Sequence, residues 1–240
     1  MAPRGEPTPS LREFEYFPRQ ASTWSMRIVI AGGHGKIALM IQKKLSDAGH
    51  EAVGLIRNPE HAPDLLVAGG IPVLIDLEAI SIETLAKDLA DVDAVVFAAG
   101  AGPNSGPERK LTVDRDGAIL LAEAAVAAGI QRYVLISSMG ADGFEPDSTD
   151  EFQVYLKAKS DADRTVRGMD LNWTIIRPGG LTDDAGTGEV KLAESTGRGT
   201  IPREDVASLV VKCLLAEEAV HVQFEAISGE TPIPEALARL

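Results

Sequence analysis

Six short apolar runs alternate with helical patterns between Met26 and Arg177, and this alternation constrains the fold more than any other feature of the sequence. The runs are nearly continuous in apolar residues, as strands covered on both faces of a sheet must be. Strands joined by helical crossovers pair in parallel. The sequence therefore predicts an α/β fold with a doubly wound parallel sheet. The predicted strands are Arg27–Ala31, Glu51–Arg57, Ile71–Asp76, Ala94–Ala99, Tyr133–Ser137 and Asn172–Arg177.

The helical patterns between these strands carry start and stop signals. Gly49 and Gly129 stand where the C-terminal caps of two helices are expected. Ser148 and Glu151 have the spacing of a capping box, which predicts Ser148 as the N-cap of another helix. The predicted helices are Lys36–Ala48, Pro63–Ala68, Ile82–Leu89, Lys110–Ala128 and Glu151–Arg167.

Residues 1–25 differ from this alternating body in carrying prolines and aromatic side chains without helical or strand periodicity. This composition predicts a poorly ordered leader. Met26 is then the expected natural start of the protein. The alternative is that Phe14, Tyr16 and Phe17 pack on the body as a hydrophobic strap.

Residues 26–240 are predicted to form a single domain. Its last part, about 178–240, is predicted to be a short C-terminal lobe on the substrate side of the sheet. This segment contains a predicted helix, Arg203–Ala216, and a predicted strand, Gln223–Ile227. It is too short for an independent substrate domain.

Charge and cysteine content restrict the partners of the chain. The net charge of −13 repels nucleic acid and anionic membranes, so neither is an expected partner. The charge does not decide between a monomer and a homodimer. Cys213 is the single cysteine and lies in an apolar run, which predicts a buried thiol, no internal disulfide and a cytoplasmic location. The four histidines share no metal-ligand spacing, so no metal site is predicted.

The first predicted strand runs directly into the turn Gly32-Gly33-His34-Gly35-Lys36-Ile37-Ala38, and a helix begins inside it. Gly32 permits a tight turn, Gly35 lets the backbone approach a pyrophosphate, and the small Ala38 allows close packing of helix on strand. The helix N-terminus offers N–H groups and a partial positive charge to phosphates. This strand–turn–helix unit predicts a dinucleotide site, and the alternative is a glycine-rich turn without a ligand.

The end of the second predicted strand indicates which dinucleotide binds. An acidic residue there would hold the ribose 2′-hydroxyl of NAD, whereas Arg57 can pair with the 2′-phosphate of NADP. NADP(H) is therefore the predicted cofactor and NAD the alternative; Arg57 as a solvated strand-end charge is the structural alternative. Asp76-Leu77 is expected at the adenine edge, and Ala98-Ala99-Gly100 offers small residues where the backbone must lie close to the cofactor.

Tyr155 and Lys159 stand four residues apart, on one face of a predicted helix. A neighbouring ammonium stabilises a phenolate and so brings the pKa of a tyrosine towards neutral pH. Ser137-Ser138 ends the fifth strand, where a hydroxyl can orient a substrate oxygen, and Pro178-Gly179 can bring backbone against a nicotinamide. The alternative is a partly buried Tyr155 beside a solvated or ribose-binding Lys159.

Taken in order, these motifs resemble those of an atypical short-chain dehydrogenase/reductase of the NAD(P)-binding, NmrA-like and epimerase/dehydratase-related group. The resemblance runs from Met26 to the C-terminus and implies a Rossmann-like fold and NADP binding. It also implies Ser138 as the substrate-orienting hydroxyl, Tyr155 as the acid/base and Lys159 as its partner. Asp114 stands where the family's catalytic tetrad has asparagine. That asparagine normally anchors a water relay, so the chain departs from the family pattern at this position. The matching motifs are Gly32–Ala38, Val113–Gly117, Val134–Ser138, Tyr155–Lys159, Arg177–Gly179 and Ile201–Ala207.

These features together predict an NADP(H)-dependent oxidoreductase or isomerase that acts on a small carbonyl or alcohol, with Tyr155 as the acid/base. One alternative is a non-catalytic NADP(H)-binding redox sensor of the NmrA-like type. Another is a flavin- or biliverdin-reductase-like activity that does not need Tyr155. The predicted catalytic residues are Asp114, Ser138, Tyr155 and Lys159, and the predicted cofactor contacts are Gly32, Gly33, His34, Gly35, Lys36, Ile37, Arg57, Asp76, Leu77, Ala98, Ala99, Gly100, Ser137, Lys159, Pro178 and Gly179.

Overall fold

The structure, a computed structural model, describes residues 25–240. The leader and strap interpretations of residues 1–25 therefore lie, except at Ser25, outside the described part of the chain. Its strands are β1 (Arg27–Ala31), β2 (Glu51–Ile56), β3 (Ile71–Leu74), β4 (Ala94–Phe97), β5 (Arg132–Ile136), β6 (Asn172–Pro178), β7 (Gly180–Thr182), β8 (Glu189–Ala193), β9 (Thr200–Pro202), β10 (Val222–Ser228) and β11 (Thr231–Pro232). Its helices are α1 (Lys36–Asp47), α2 (Ala62–Val67), α3 (Ile82–Asp88), α4 (Pro107–Arg109), a π-helix (Lys110–Gly117), α5 (Ala118–Ala128), α6 (Glu151–Arg167), α7 (Arg203–Leu215) and α8 (Ile233–Leu237).

One nine-stranded sheet, in the order β11-β8-β10-β6-β5-β4-β1-β2-β3, forms the centre of the fold. The run from β10 to β3 is parallel throughout, and only β8 and β11 pair antiparallel, at one edge. The chain steps outward from β1 through β2 to β3 and then crosses back to β4, so the strand order reverses beside β1. This arrangement confirms the predicted doubly wound α/β fold, and it places a ligand crevice at the carboxyl ends of β1 and β4.

Helices cover both faces of the sheet because side chains alternate along each strand. In β1, Ile28 and Ile30 pack under α1 and α7, whereas Val29 packs under α3 and α5 on the opposite face. Cys213 of α7 is fully buried in the first of these layers, as its apolar run predicts. No helix within residues 25–240 is long and apolar enough to cross a membrane.

Two of the predicted helix features need correction. The continuous α-helix expected over 110–128 begins as a π-helix, Lys110–Gly117, and becomes α-helical only at Ala118. The helix Glu151–Arg167 has its predicted bounds, but its N-cap is Asp150 rather than Ser148. Asp150 Oδ1 accepts the Phe152 and Gln153 N–H groups at 3.0 and 3.1 Å. A carboxylate directly before the helix is favoured there because it also compensates the positive end of the helix dipole.

The segment after residue 178 is more strand-rich than expected. Besides the predicted β10 and α7, it contains β7, β8, β9 and β11. β10 pairs in parallel with β6 and so extends the main sheet, whereas β7 and β9 form a separate two-stranded sheet. This small sheet carries the loop that begins at Asp183 towards the start of α1 and α7.

Candidate cofactor and active site

Two clefts open at the carboxyl ends of the parallel strands. The turn cleft, about 300 Å³, is lined by the glycine turn after β1 and by the residues that follow β2 and β3. The tyrosine cleft, about 790 Å³, lies between the ends of β4, β5 and β6 and the first turns of α6. Ala98, Ala99 and Gly100, which follow β4, line both clefts. The two clefts therefore share a wall and form one groove across the edge of the sheet.

The glycine turn is held by close backbone contacts. Gly32 has a φ of +77°, and a Cβ built on it would lie 2.6 Å from the Ala99 Cα. A Cβ on Gly33 would lie 2.7 Å from the Cα of Gly54 in β2. Only glycine fits both positions. The predicted tight turn at Gly32 is present, and Gly33 has the further role of letting β2 approach.

The start of α1 suits a phosphate group. Gly35 is the N-cap and makes no side-chain cap hydrogen bond, so the free N–H groups of the first turn are not satisfied by a capping side chain. Ala38 is fully buried, as close packing of the helix on the strand requires. The backbone of this turn therefore fits the pyrophosphate of a dinucleotide.

Gln42 is a positioning residue that the sequence did not single out. Its side chain is fully buried, and its Nε2 donates to the carbonyl oxygens of Gly33 at 2.7 Å and Ala38 at 3.1 Å. This links the second turn of α1 to the glycine turn. The sequence offered only a single glutamine on the apolar side of a predicted helix. Glutamine is common on helix surfaces, so this position did not stand out.

Arg57 lies in the turn cleft, but it is not alone there. Glu78 Oε2 accepts from Arg57 Nη1 at 3.2 Å and from Arg109 Nη2 at 2.8 Å, and Glu78 Oε1 accepts from Thr112 at 2.6 Å. The hydrogen bond from Arg109 is the main reason why the pKa of Glu78 lies below its usual value. Two guanidinium groups thus converge on one carboxylate where the sequence predicted a single arginine.

The other residues predicted at this end lie around the same cleft. His34 stacks on His61 with ring centroids 3.7 Å apart, and its Nε2 lies 2.7 Å from the Asp64 carboxylate. Asp76 is exposed and accepts the Glu78 N–H at 3.0 Å, which orders the turn after β3. Most predicted cofactor contacts line one of the clefts: Gly32, His34, Gly35, Arg57, Asp76, Leu77, Ala98, Ala99 and Gly100 line the turn cleft, and Ile37, Ser137, Lys159, Pro178 and Gly179 line the tyrosine cleft.

All four predicted catalytic residues line the tyrosine cleft: Asp114, Ser138, Tyr155 and Lys159. Tyr155 is half-buried, and Lys159 Nζ lies 5.7 Å from its ring centroid. A second ammonium, that of Lys110, lies 5.8 Å from the same ring. Tyr155 therefore has two cations near it, of which the sequence indicated only Lys159.

Lys159 forms a buried ion pair with Asp114. The two side chains are 4% and 2% exposed, and Nζ lies 3.2 Å from Oδ1. Burial is the largest single influence and lowers the pKa of Lys159, but the charge and hydrogen bond of Asp114 together with nearby Tyr155 and Asp163 outweigh it and hold the pKa above the usual lysine value. Asp114 Oδ2 also accepts the Ala101 N–H at 3.0 Å. Lys159 is thus held as a cation, with a carboxylate where the resembled family has a neutral amide.

The two serines after β5 have different surroundings. Ser137 Oγ donates to the buried Asp163 at 2.8 Å, so its side chain supports the fold as well as lining the cleft. Ser138 Oγ donates only a long hydrogen bond, 3.3 Å, to the Met139 carbonyl. Of the two hydroxyls, Ser138 is the one that can turn to a ligand at low cost.

A polar network behind the cleft fixes the loop after β5. Arg177 donates to Asp163 at 2.8 Å and to both carboxylate oxygens of Asp142 at 2.7 and 3.0 Å, and Ser160 also donates to Asp142 at 2.7 Å. Burial raises the pKa of Asp163, although Arg177 and Ser137 partly offset it. This network joins β6, α6 and the loop that carries Ser138.

The Asp142 carboxylate makes the network pH-dependent. Its hydrogen bonds from Arg177 lower its pKa to about 2, so the stability it adds is present above the unfolded value and is lost as the pH falls towards about 2. Asp142→Asn should lower the free energy of unfolding at pH 7 by no more than about 1 kcal/mol, because the side chain is partly exposed. The difference from the unmutated protein should shrink between about pH 4 and pH 2.

Urea unfolding over a pH series measures this difference. Asp47→Asn, at an exposed helix-surface pair with Lys43, is the matched control and should show little change at any pH. A constant difference for Asp142→Asn from pH 7 to pH 2 would show that the carboxylate charge does not act through Arg177.

Comparison with known proteins identifies the family. Residues 32–217 match the model of a family described as NAD(P)H-binding. YhfK of Bacillus subtilis (strain 168), named an uncharacterized sugar epimerase, is 36% identical over 216 residues, which cover 90% of this chain and 100% of that protein.

Solved structures agree with this result. A protein of Bacillus halodurans described as an NAD-dependent epimerase/dehydratase is 33% identical, with a TM-score of 0.83 over 90% of this chain and 100% of that one. The oxidoreductase ylbE of Lactococcus lactis is 28% identical, with a TM-score of 0.78 over 90% and 96%. The chain therefore belongs to the NAD(P)H-binding family of Rossmann-like proteins, in agreement with its resemblance to the atypical short-chain dehydrogenases.

Proposed function

We propose that this protein is an NADP(H)-dependent oxidoreductase or isomerase that acts on a small carbonyl or alcohol. The observation that carries the proposal is the shared wall Ala98–Gly100, which joins the glycine turn and Arg57 to Tyr155 in one groove. A dinucleotide is long enough to need such a groove, and its reactive end would lie beside Tyr155. Homology to proteins named as an epimerase and an oxidoreductase is consistent with this assignment.

In the proposed reaction the cofactor supplies the hydride, and side chains of the protein orient the substrate and supply the proton. NADPH, when bound, supplies the hydride that a carbonyl carbon accepts, with the Gly32–Gly35 turn holding its phosphates. Ser138 hydrogen-bonds the substrate oxygen and orients it. Tyr155 then gives its hydroxyl proton to that oxygen, so that the carbonyl becomes an alcohol and the tyrosine a phenolate. Lys159 stabilises the phenolate until solvent returns the proton, and alcohol oxidation runs the same steps in reverse.

Two arginines support NADP(H) rather than NAD(H). Arg57 and Arg109 meet at Glu78 in the turn cleft, and a 2′-phosphate can take hydrogen bonds from both guanidinium groups. Glu78 opposes this preference because its carboxylate repels a phosphate and occupies the same donors. NADP(H) is favoured when the two arginines turn from Glu78 to the ligand.

Titration with NADPH, NADP, NADH and NAD tests the cofactor site. We expect micromolar NADPH binding that weakens about 10- to 100-fold in Arg57→Ala, because a charge-assisted hydrogen bond to the 2′-phosphate is lost. NADH binding should change little in the same variant. Intrinsic fluorescence or calorimetry gives the dissociation constants.

Two further variants sharpen this test. Arg164→Ala removes an exposed arginine of α6 that pairs with Asp161, so it controls for the general loss of positive charge. Glu78→Gln should strengthen NADPH binding several-fold, since it removes the competing carboxylate. If none of the four nucleotides binds, the glycine turn is purely structural and the proposal is wrong.

The second candidate is a non-catalytic sensor of the NADP/NADPH ratio. The observation that favours it is the buried pair of Asp114 and Lys159, because the carboxylate compensates the charge that would otherwise assist a Tyr155 phenolate. A sensor should bind NADP and NADPH with different affinities and show no turnover on a panel of small aldehydes, ketones and alcohols. Turnover of any member of the panel above the background rate excludes it.

We also propose a cytoplasmic location. Cys213 is buried and its thiol pKa is raised to about 12, mainly by burial, so the thiol stays protonated and unreactive. A chain with this single buried thiol cannot form an internal disulfide, which is typical of proteins in a reducing compartment.

Size-exclusion chromatography with light scattering decides whether the protein is a monomer or a homodimer.

A further inference from the structure

We propose that Arg203 and Lys36 form a binding site for an anionic group of the substrate, a carboxylate or a phosphate, which replaces the Asp183 carboxylate between them. The proposal rests on the function proposed above, since it names the substrate class of the same groove. The observations that carry it are the position of the two cations, the carboxylate that now bridges them, and the cleft that Arg203 shares with Tyr155.

The fold brings three charged side chains to one point. β7 and β9 pair in parallel, with Thr182 opposite Pro202, so Asp183 and Arg203 directly follow neighbouring strand ends. Arg203 is also the first residue of α7, and Lys36 is the first residue of α1. The partial positive charges of two helix N-termini add to those of the two side chains.

Asp183 bridges the two cations as a bound anion would. Its Oδ1 lies 2.6 Å from Arg203 Nη1, and its Oδ2 lies 2.6 Å from Lys36 Nζ. Asp183 itself is 58% exposed and Lys36 is 64% exposed, so this contact is solvent-screened. Exposed ion pairs of this kind contribute little to stability. An external anion can therefore replace Asp183 at low cost.

Arg203 is the more enclosed of the two cations. Its side chain is 24% exposed and lines the tyrosine cleft together with Leu181 and Tyr155. A guanidinium has five N–H donors, and within residues 25–240 Arg203 makes one side-chain hydrogen bond, to Asp183. The other donors have no hydrogen-bond partner among the described residues. A half-enclosed arginine that can offer paired donors is the geometry that carboxylates and phosphates select.

The overall charge of the chain makes this site a local exception. At a net charge of −13 the surface repels anions in general, so an anionic substrate needs a specific cationic contact to bind. A substrate with its carbonyl or alcohol at Tyr155 and its anionic group at Arg203 would span the tyrosine cleft. Neutral substrates of the same shape should bind less well.

A phosphate at this point could also belong to the cofactor, because Lys36 begins the helix of the glycine turn. The test therefore titrates inorganic phosphate by calorimetry at low ionic strength, with and without saturating NADPH. NADPH binding is measured separately by fluorescence, so a failure of the proposed function is recognised by itself. If NADPH does not bind, the titration without it still decides whether Arg203 holds an anion.

The expected result is one phosphate per chain in the presence of NADPH. Arg203→Gln should weaken this binding at least about tenfold, because the paired donors are lost, and Asp183→Asn should strengthen it by roughly fivefold, because the internal competitor loses its charge. Lys43→Gln, at an exposed lysine paired with Asp47, is the matched control and should change nothing. Thermal melting checks that each variant is folded.

Three results would overturn the proposal. Equal phosphate affinity in Arg203→Gln and the unmutated protein would show an adventitious ion only. An unchanged affinity in Asp183→Asn would show that the carboxylate does not occupy the anion position. Complete displacement of phosphate by NADPH would assign the two cations to the cofactor's own phosphates rather than to the substrate.

Discussion

Replacing Tyr155 by phenylalanine is expected to lower kcat for carbonyl reduction by about 10²- to 10⁴-fold, the usual effect of removing a general acid. The hydroxyl is the only group that this change removes, and no other side chain with a titratable proton has been assigned to the substrate oxygen. NADPH affinity should change by less than about twofold, because the glycine turn and Arg57 lie in the turn cleft. Steady-state kinetics on a substrate found in the panel, together with an NADPH titration, measures both effects.

The chain offers a matched control for this change. Tyr133 is fully buried under α5, and its hydroxyl donates to the Ala118 carbonyl at 2.8 Å, outside both clefts. Tyr133→Phe should lower the free energy of unfolding by about 1 kcal/mol and leave kcat unchanged. If Tyr155→Phe keeps the full kcat, the acid/base role is wrong. The flavin- or biliverdin-reductase-like alternative, in which the hydride alone suffices, would then be favoured.

The parts of the fold that could be predicted are those fixed by periodicity over many residues. The six apolar runs appear as β1 to β6 with ends shifted by at most two residues. Five of these strands are largely buried, and a strand buried on both faces allows few polar positions; the edge strand β3 is partly exposed, but its sequence is still apolar. The strands β8 and β11 of the C-terminal segment were missed because neither is a continuous apolar run. Charged and apolar residues alternate in β8, and β11 has only two residues, so their pattern is hard to distinguish from that of loops.

The candidate site divides in the same way. Residues that follow a strand directly, such as Gly32, Arg57 and Ser138, could be placed because the carboxyl ends of parallel strands meet at one edge. The oppositely charged partners of the site residues could not be predicted in this way. Glu78 meets Arg109 across 31 positions of sequence, and Asp183 meets Lys36 across 147. Such contacts depend on how loops return over the sheet, which no local pattern encodes.

The π-helix explains why the pairing of Asp114 with Lys159 could not be predicted from sequence spacing alone. A π turn adds a residue to the helix and changes the direction in which the following side chains point. Here it covers Lys110 and Asp114, both of which are buried at the tyrosine cleft. An α-helix continued from 110 to 128 would give a different rotation between these two side chains. The pairing of Asp114 with Lys159 therefore had to be seen in the structure.

Replacing Asp114 by alanine is expected to lower the free energy of unfolding by about 3–5 kcal/mol, the largest stability change that we predict. Lys159 would be left as a buried cation without its carboxylate, and the Ala101 N–H would lose its acceptor. Asp114 is one of the groups that together hold the pKa of Lys159 above its usual value despite burial, so the pair is intact at neutral pH and is lost when the pH rises past the lysine pKa. Without Asp114, burial lowers the pKa of Lys159 and the variant can release this proton as the pH rises, so urea unfolding should give a smaller loss at pH 9 than at pH 7.

Asp114→Asn separates charge from hydrogen bonding in this pair. Its amide oxygen can still accept the Ala101 N–H, so its loss of stability should be smaller than that of alanine. The control is Asp116→Ala on the same π-helix, where the carboxylate is 50% exposed and pairs with the adjacent Arg115, and it should cost less than about 1 kcal/mol. Equal losses at 114 and 116 would mean that solvent already screens Lys159. The asparagine variant also restores the neutral amide of the resembled family, so a rise in turnover would show that the Asp114 charge restrains Tyr155.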